Sequence, residues 1–380
     1  MAEKAYITPE VILWARVSAN ISLDDAAKKV GVKVEKLAEW EKGQAFPTVR
    51  QAIKLANIYR RPFAAFFLPE PPKDFALLQD FRRISNNLRY STALIFMLRE
   101  IQEKQQWMSD FLKDNGEPPL PFIGQFTIKD STRKIAREIV KYLGIENAQS
   151  NNLKHWIQKS ESKGIFVSKA GSYHNHLPIL VEEARGFVIS DKYAPFMFIN
   201  SRDLDAAQLF TIVHELVHLW IGESAVLDAS LIEFRTKNIE YNEVEVFCNR
   251  VAAEILMPEA EILDIFKDVT TDYLMEEMVI FASREFGVSQ LAVWTRLKNL
   301  NKISPIKYKE IRDRYNTLYS YPKPKPKGGD TYRNKAVRNG KKFCYIVMDS
   351  FRNGLITGLE ASNLLGVRIN KFDKFSTYLS

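Results

Sequence analysis

The sequence predicts a multi-domain, mainly α chain: an N-terminal bundle of short helices, a central α+β region with a small sheet, and a C-terminal helical module. Three observations predict it. With 380 residues, the chain is long enough for two to four domains of about 100–200 residues each. Apolar residues recur at helical spacing along most of its length, and only three short runs near the middle read as strands. Prolines cluster at 69–72 and alternate with lysine from 322, which marks two breaks. The composition, 46% apolar and 26% charged, excludes wholesale disorder and fibrous repeats. Two distant cysteines, Cys248 and Cys344, exclude a disulfide framework and a cysteine zinc knuckle. No apolar run approaches the roughly 18–20 residues of a membrane span, and the first ten residues carry acids and no apolar leader core. The expectation is a soluble, cytoplasmic protein that does not use the membrane.

The first element is a bundle. Residues 9–17, 22–31, 33–42 and 48–59 have helical apolar spacing, broken at Asn20, at Gly31 and between Gly43 and Pro47. Ser22 is placed to cap a helix whose Ala26, Ala27 and Val30 face inward. Gly31-Val32 then turns the chain into Val34, Leu37 and Trp40, the helix-turn-helix pattern. Together with Trp40-Glu41-Lys42-Gly43 and Pro47-Thr48, this stretch resembles the XRE-type, Cro/repressor-like domains over residues 8–68. The resemblance implies DNA contact, for which Lys33, Lys36, Gln44, Thr48 and Arg50 are the candidates. Asp24, Asp25, Glu35 and Glu39 repel phosphate from the same helices, so docking of a protein partner stays open.

The run from Arg60 to Leu68 reads as a capping helix, and the prolines after it end the first domain. Asp80 to Arg83 open the next region, with helices expected over 90–113, 131–143 and 151–163. Residues 164–168, 186–189 and 195–200 read as short buried strands. His174 and His176 lie between the first two, either lining a cleft as oxyanion stabilisers or in a polar loop.

The helix expected over 206–220 is strongly apolar but interrupted by His214, Glu215 and His218, an HExxH motif. A spacing of four residues puts both imidazoles on one face, where they can share a tetrahedral metal, and Zn²⁺ suits that donor set. Glu215, about 100° around the helix, is placed to take a proton from an activated water, and the chemistry implied is peptide hydrolysis. A third ligand is expected from the helix at 239–256. Glu245 borders its inward face, Glu240 and Glu243 look solvated, and Asn249, one turn beyond, is placed to hold a ligating histidine as a second-layer partner.

HELVHLW followed by EVEVFCNRVAAEILMP resembles the ImmA/IrrE family of metallopeptidases over residues 160–300. That resemblance implies a zincin-like domain in which His214, His218 and Glu245 bind zinc and Glu215 is the general base. An XRE-type domain in front is a common arrangement in the family. Val217 stands where glycine is frequent and Cys248 where alanine is usual, so Cys248 is either an extra sulfur ligand or a small buried thiol. The implied function is a zinc endopeptidase and regulator that cleaves a repressor or toxin-linked protein. The alternative is an antitoxin-like partner that sequesters a toxin and represses its own operon. An oligomer is compatible with either.

Residues 273–300 repeat the helix-turn-helix pattern, as scaffold or as a second DNA contact. The net charge of +8 is concentrated in residues 322–342, where eight Lys/Arg face only Asp330. That segment reads as an extended tether, solvated or bound to phosphate or an acidic partner. A small docking module follows, with a turn at Asn353-Gly354 and a helix at 357–365 stopped by Gly366. The expected division is thus a helix-turn-helix domain (1–72), a helical connection (73–160), a metallopeptidase core (161–270), a helix-turn-helix-like segment (271–320), a basic tether (321–342) and the C-terminal module (343–380).

Overall fold

The computed structural model describes residues 3–72, 90–145, 152–174, 177–222, 225–227, 239–318 and 329–379; of 225–227, 239–242 and 316–318 only the backbone is described. The expectations for Asp80 to Arg83, His176 and 321–328 lie outside these residues. The chain divides into two compact units, residues 1–102 with 172–179, and residues 103–171 with 180–380.

In the first unit, α1 (Pro9–Ser18), α2 (Leu23–Val30), α3 (Val34–Glu41) and α4 (Val49–Tyr59) fold where the apolar spacing predicts them. Ser22 caps α2 by accepting the Asp25 N–H at 3.0 Å. Thr48 and Gln51 form a reciprocal capping box on α4. Ala15, Ala27, Leu37, Trp40 and Leu55 are buried between the helices. Arg16 clamps α1 to α3 through two bonds to Glu41, at 2.7 and 2.8 Å. The run after Arg60 is a single 3₁₀ segment, Phe63–Phe67, because Pro62 and Pro69 leave no room for a longer helix. Helix α5 (Thr92–Asp114) begins in this unit. Tyr173 belongs here as well, with its ring 5.3 Å from Phe96 and 4.5 Å from His174.

The second unit is built on a four-stranded sheet ordered β1-β3-β2-β4, from β1 (Phe166–Ala170), β2 (Gly186–Ile189), β3 (Phe196–Asn200) and β4 (Ala225–Leu227). β1 runs parallel to β3, and the other pairings are antiparallel. Helices α6 (Thr132–Leu143), α7 (Leu153–Ser162), α8 (Asp205–Ile221) and α9 (Ile239–Leu256) follow the expected spans. Val167, Val188, Met197 and Ile199 join the core cluster that contains the buried face of α8. Phe166 and Phe196, on alternate positions, meet Phe343 at 6.5 and 5.7 Å. Both faces of the sheet are therefore covered, which is why its strands read as continuous apolar runs instead of alternating ones.

Helices α10 (Glu259–Ile265), α11 (Asp272–Glu285), α12 (Gln290–Asn299) and α13 (Pro305–Leu318) extend this core. The second helix-turn-helix pattern packs as scaffold: Val293, Trp294 and Leu297 of α12 are buried, and Arg296 donates to the Met257 carbonyl at 3.1 Å.

The tether expected at 321–342 is corrected for its second half. Residues Thr331–Asn339 form α14 and Lys341–Arg352 form α15, followed by α16 (Gly358–Leu365), a 3₁₀ turn (Ile369–Lys371) and α17 (Phe372–Ser376). Asp330 caps α14 by accepting the N–H groups of Tyr332 and Arg333 at 2.8 and 3.0 Å. Ala336 and Asn339 are buried, so a helix of high charge still presents one small face to β1. Charge density conceals such a face, because only one residue in three or four has to be uncharged. Among the described residues, no helix is long and apolar enough to cross a membrane.

Candidate metal centre

Helix α8 is held at its C-terminal end and along its buried side. Its last carbonyls, at Leu219 and Trp220, accept the N–H groups of Gly124 and Phe126, each at 3.0 Å. On its sheet-facing side the backbone of β2 comes unusually close. A Cβ at Gly186 would lie 2.4 Å from Thr211 Cγ2, 2.8 Å from the Phe198 carbonyl oxygen and 3.4 Å from Glu215 Oε1. Only glycine permits this approach, so Gly186 sets the depth of the HExxH helix against the sheet and borders Glu215. Sequence reasoning passed over it, although a glycine opening an apolar strand was the available signal.

The structure brings His214, His218 and Glu245 together. The Nε2 atoms of the two histidines are 3.0 Å apart. His214 Nε2 lies 3.1 Å from Glu245 Oε2, and His218 Nε2 lies 3.2 Å from Oε1. His214, Glu215 and His218 are fully buried, and Glu245 is 1% exposed. Burial raises the Glu245 carboxyl, but the charges and hydrogen bonds of His218 and His214 outweigh it and hold the group well below the usual carboxylate range. Burial lowers His214, only partly offset by the charge and hydrogen bond of Glu245. Glu215 is pushed far up, first by burial and then by the charge of Glu245.

Polar atoms in this cluster are left over. The Nδ1 atom of His218 and both oxygens of Glu215 are buried without a hydrogen-bond partner among the described residues. Asn249 is close enough to His214 to favour its protonated form. Buried groups with no partner cost about 1–3 kcal/mol each, and such a cost is ordinarily offset by a ligand or a water. The donor set also fits a cation. A tetrahedral Zn²⁺ with bonds of about 2.0–2.1 Å needs ligand atoms about 3.3 Å apart, close to the separations observed. A divalent charge there would also remove the penalty that keeps Glu215 protonated.

Other expected residues fall elsewhere. Cys248 is buried in the core and is not in the His-His-Glu group. His174 lies in the first unit with Tyr173. Of the DNA candidates, Lys33, Lys36, Gln44 and Arg50 are exposed, while Thr48 is half-buried and committed to its capping box. Glu41, which the sequence reading left without a role, is the Arg16 clamp.

This fold and site define a helix-turn-helix regulator joined to a metallopeptidase-type domain. Residues 167–298 match the peptidase M78 family, described as IrrE N-terminal-like domain, and residues 12–66 match the helix-turn-helix family of XRE type. The chain thus carries an N-terminal helix-turn-helix domain and an ImmA/IrrE domain. No curated protein matches it significantly.

Proposed function

We propose that this protein is a zinc-dependent endopeptidase that acts as a regulator by cleaving a repressor or toxin-linked protein, with its N-terminal domain recruiting it to DNA or to a partner. The observation that carries the reading is the buried, hydrogen-bond-deficient trio His214, His218 and Glu245 at tetrahedral spacing beside Glu215. His214 and His218 would offer their Nε2 atoms to Zn²⁺ and Glu245 its carboxylate, with Asn249 orienting His214. Bound there, the ion would polarise the scissile carbonyl and acidify a water molecule. Glu215 would take the proton of the attacking water and hand it to the leaving nitrogen, so its carboxyl must be ionised when substrate arrives.

One observation favours a second reading. The four side chains are almost wholly buried, which suits a domain that masks a toxin by binding and seldom turns over. Metal analysis of the wild type and of Glu215→Gln, joined to identification of the protein that co-purifies with the variant, tests both. Zinc retained, biological effect lost and an intact protein trapped supports hydrolysis. An unchanged effect supports sequestration, and a wild type with no stoichiometric metal removes the first reading.

A further inference from the structure

The C-terminal module follows the pattern of the N-terminal helix-turn-helix, with cap, turn and inward positions at a constant offset. Ser22 to Glu41 aligns with Thr357 to Ser376 without a gap. Ser22 and Thr357 are both extended caps, at φ −65°, ψ 156° and φ −74°, ψ 155°, and they accept the N–H groups of Asp25 and Glu360. Gly31 and Gly366 both take the left-handed conformation that ends the first helix, at φ 86° and 61°. Each is followed by valine and then by an extended basic residue, Lys33 at φ −70°, ψ 151° opening α3 and Arg368 at φ −67°, ψ 142° opening the 3₁₀ turn Ile369–Lys371 that leads into α17. The inward positions agree too: Ala26 with Ala361, Val30 with Leu365, Leu37 with Phe372, Trp40 with Phe375, all buried. Matching caps, turn and core at a constant offset are what a second copy of the same motif requires.

The two copies differ in what the second helix presents. In α3 the exposed Lys33 and Lys36 are opposed by exposed Glu35 and Glu39. Its counterpart, residues 369–376 with Arg368 before it, exposes Arg368, Asn370, Lys371 and Lys374 against a single acid, Asp373. Ile369, at the start of that segment, is 50% exposed beside Arg368, where an apolar side chain can meet a thymine methyl. Lys374 is partly occupied over the Tyr332 ring, at 5.2 Å. The third Gly-Val turn in the chain, Gly287-Val288, leads into α12, whose corresponding positions Leu291, Ala292 and Thr295 are half-buried and carry no basic side chain.

We propose that residues 357–376 form a second DNA-binding helix-turn-helix that lays the 3₁₀ turn Ile369–Lys371 and the short helix α17 after it against duplex DNA, with Arg368 and Lys371 on phosphates or base edges. The chain then reads DNA from two modules, and the C-terminal one has the more favourable charge.

The test is equilibrium binding of the full-length protein to a mixed-sequence DNA duplex over a range of salt, with selection from a randomised duplex pool in parallel. Arg368→Ala/Lys371→Ala is expected to weaken duplex binding roughly tenfold and to reduce the salt-dependence slope by about two. Both residues are exposed, so circular dichroism and thermal midpoint should be unchanged. In a Lys33→Ala/Lys36→Ala background, residual duplex binding should persist and then disappear with the C-terminal pair. Wild-type selection should yield a sequence element that the C-terminal variant no longer enriches. Unchanged affinity and slope in Arg368→Ala/Lys371→Ala would overturn the proposal. So would loss of all duplex binding in Lys33→Ala/Lys36→Ala alone, or a C-terminal effect confined to single-stranded RNA or to a protein ligand.

Discussion

Two buried polar clusters in the second unit invite comparison. Around the C-terminal module, Lys104 donates to Asn339 at 2.5 Å, Asn339 donates to the Leu365 carbonyl at 2.9 Å, and Ser168 donates to the Arg338 carbonyl. Glu161 accepts the Lys342 N–H at 3.2 Å, at the start of α15. Each of these groups has a partner. Around His214, Glu215, His218 and Glu245, by contrast, several buried atoms have none. Burial alone therefore does not separate structure from function here. What sets the metal centre apart is that its partnerless atoms gather around donor groups at metal-binding separations, whereas the completed network joins elements.

The comparison can be broken most sharply at Glu245. Glu245→Ala should reduce bound zinc from about one equivalent to near zero by elemental analysis, since two imidazoles alone make a poor site. A variant that keeps full zinc would show that the trio is not the ligand set. Next in size, Glu215→Gln should retain zinc while slowing cleavage of its trapped partner on the order of 10²–10⁴-fold. Equal rates would remove Glu215 from the chemistry.

Asn339→Ala in the completed cluster should cost about 2 kcal/mol in denaturant unfolding, because it removes one bond to Lys104 and leaves the Leu365 carbonyl without its donor.

Glu161 sharpens the contrast through pH. Burial raises its carboxyl to about 7, despite the opposing contacts with Lys342. Because the folded value lies above the ordinary 4.5, its contribution to stability is full below about 4.5 and is lost as pH rises through about 7. Amide exchange across α14 and α15 should accordingly slow on acidification through that window, by on the order of 2 kcal/mol. Glu161→Gln should flatten the profile.

The smallest effect has the opposite sign to Asn339→Ala. In the metal-free protein, Glu215→Leu should raise stability by about 1 kcal/mol, because it removes a buried carboxyl that has no partner. A loss there would mean that the cluster is already satisfied without a ligand.

Much of this was legible from residues alone. His214 and His218 four apart, Glu245 beside an inward face, Ser22 before Ala26 and Ala27, and the αL glycine at 31 are all local statements. Their consequences follow from a helix turn or a cap. Gly186 was not legible in its role, because the atoms it must avoid, Thr211 Cγ2 and the Phe198 carbonyl, come from other segments. Nor was the folding of residues 331–342, where Ala336 and Asn339 count only because β1 lies opposite. The association of Tyr173 with Phe96 joins residues far apart in the chain, which no periodicity encodes.

By itself, then, the order of amino acids determined most of the helices outside residues 331–342, and which side chains carry donor atoms suited to a metal. Those are properties of a few consecutive residues. Tertiary structure alone decided the separations of 3.0–3.2 Å within the trio, the hydrogen-bond deficit around it, and which two of the three Gly-Val turns lead to exposed side chains. Those depend on desolvation and close packing between distant segments, and neither exists until the chain has closed on itself.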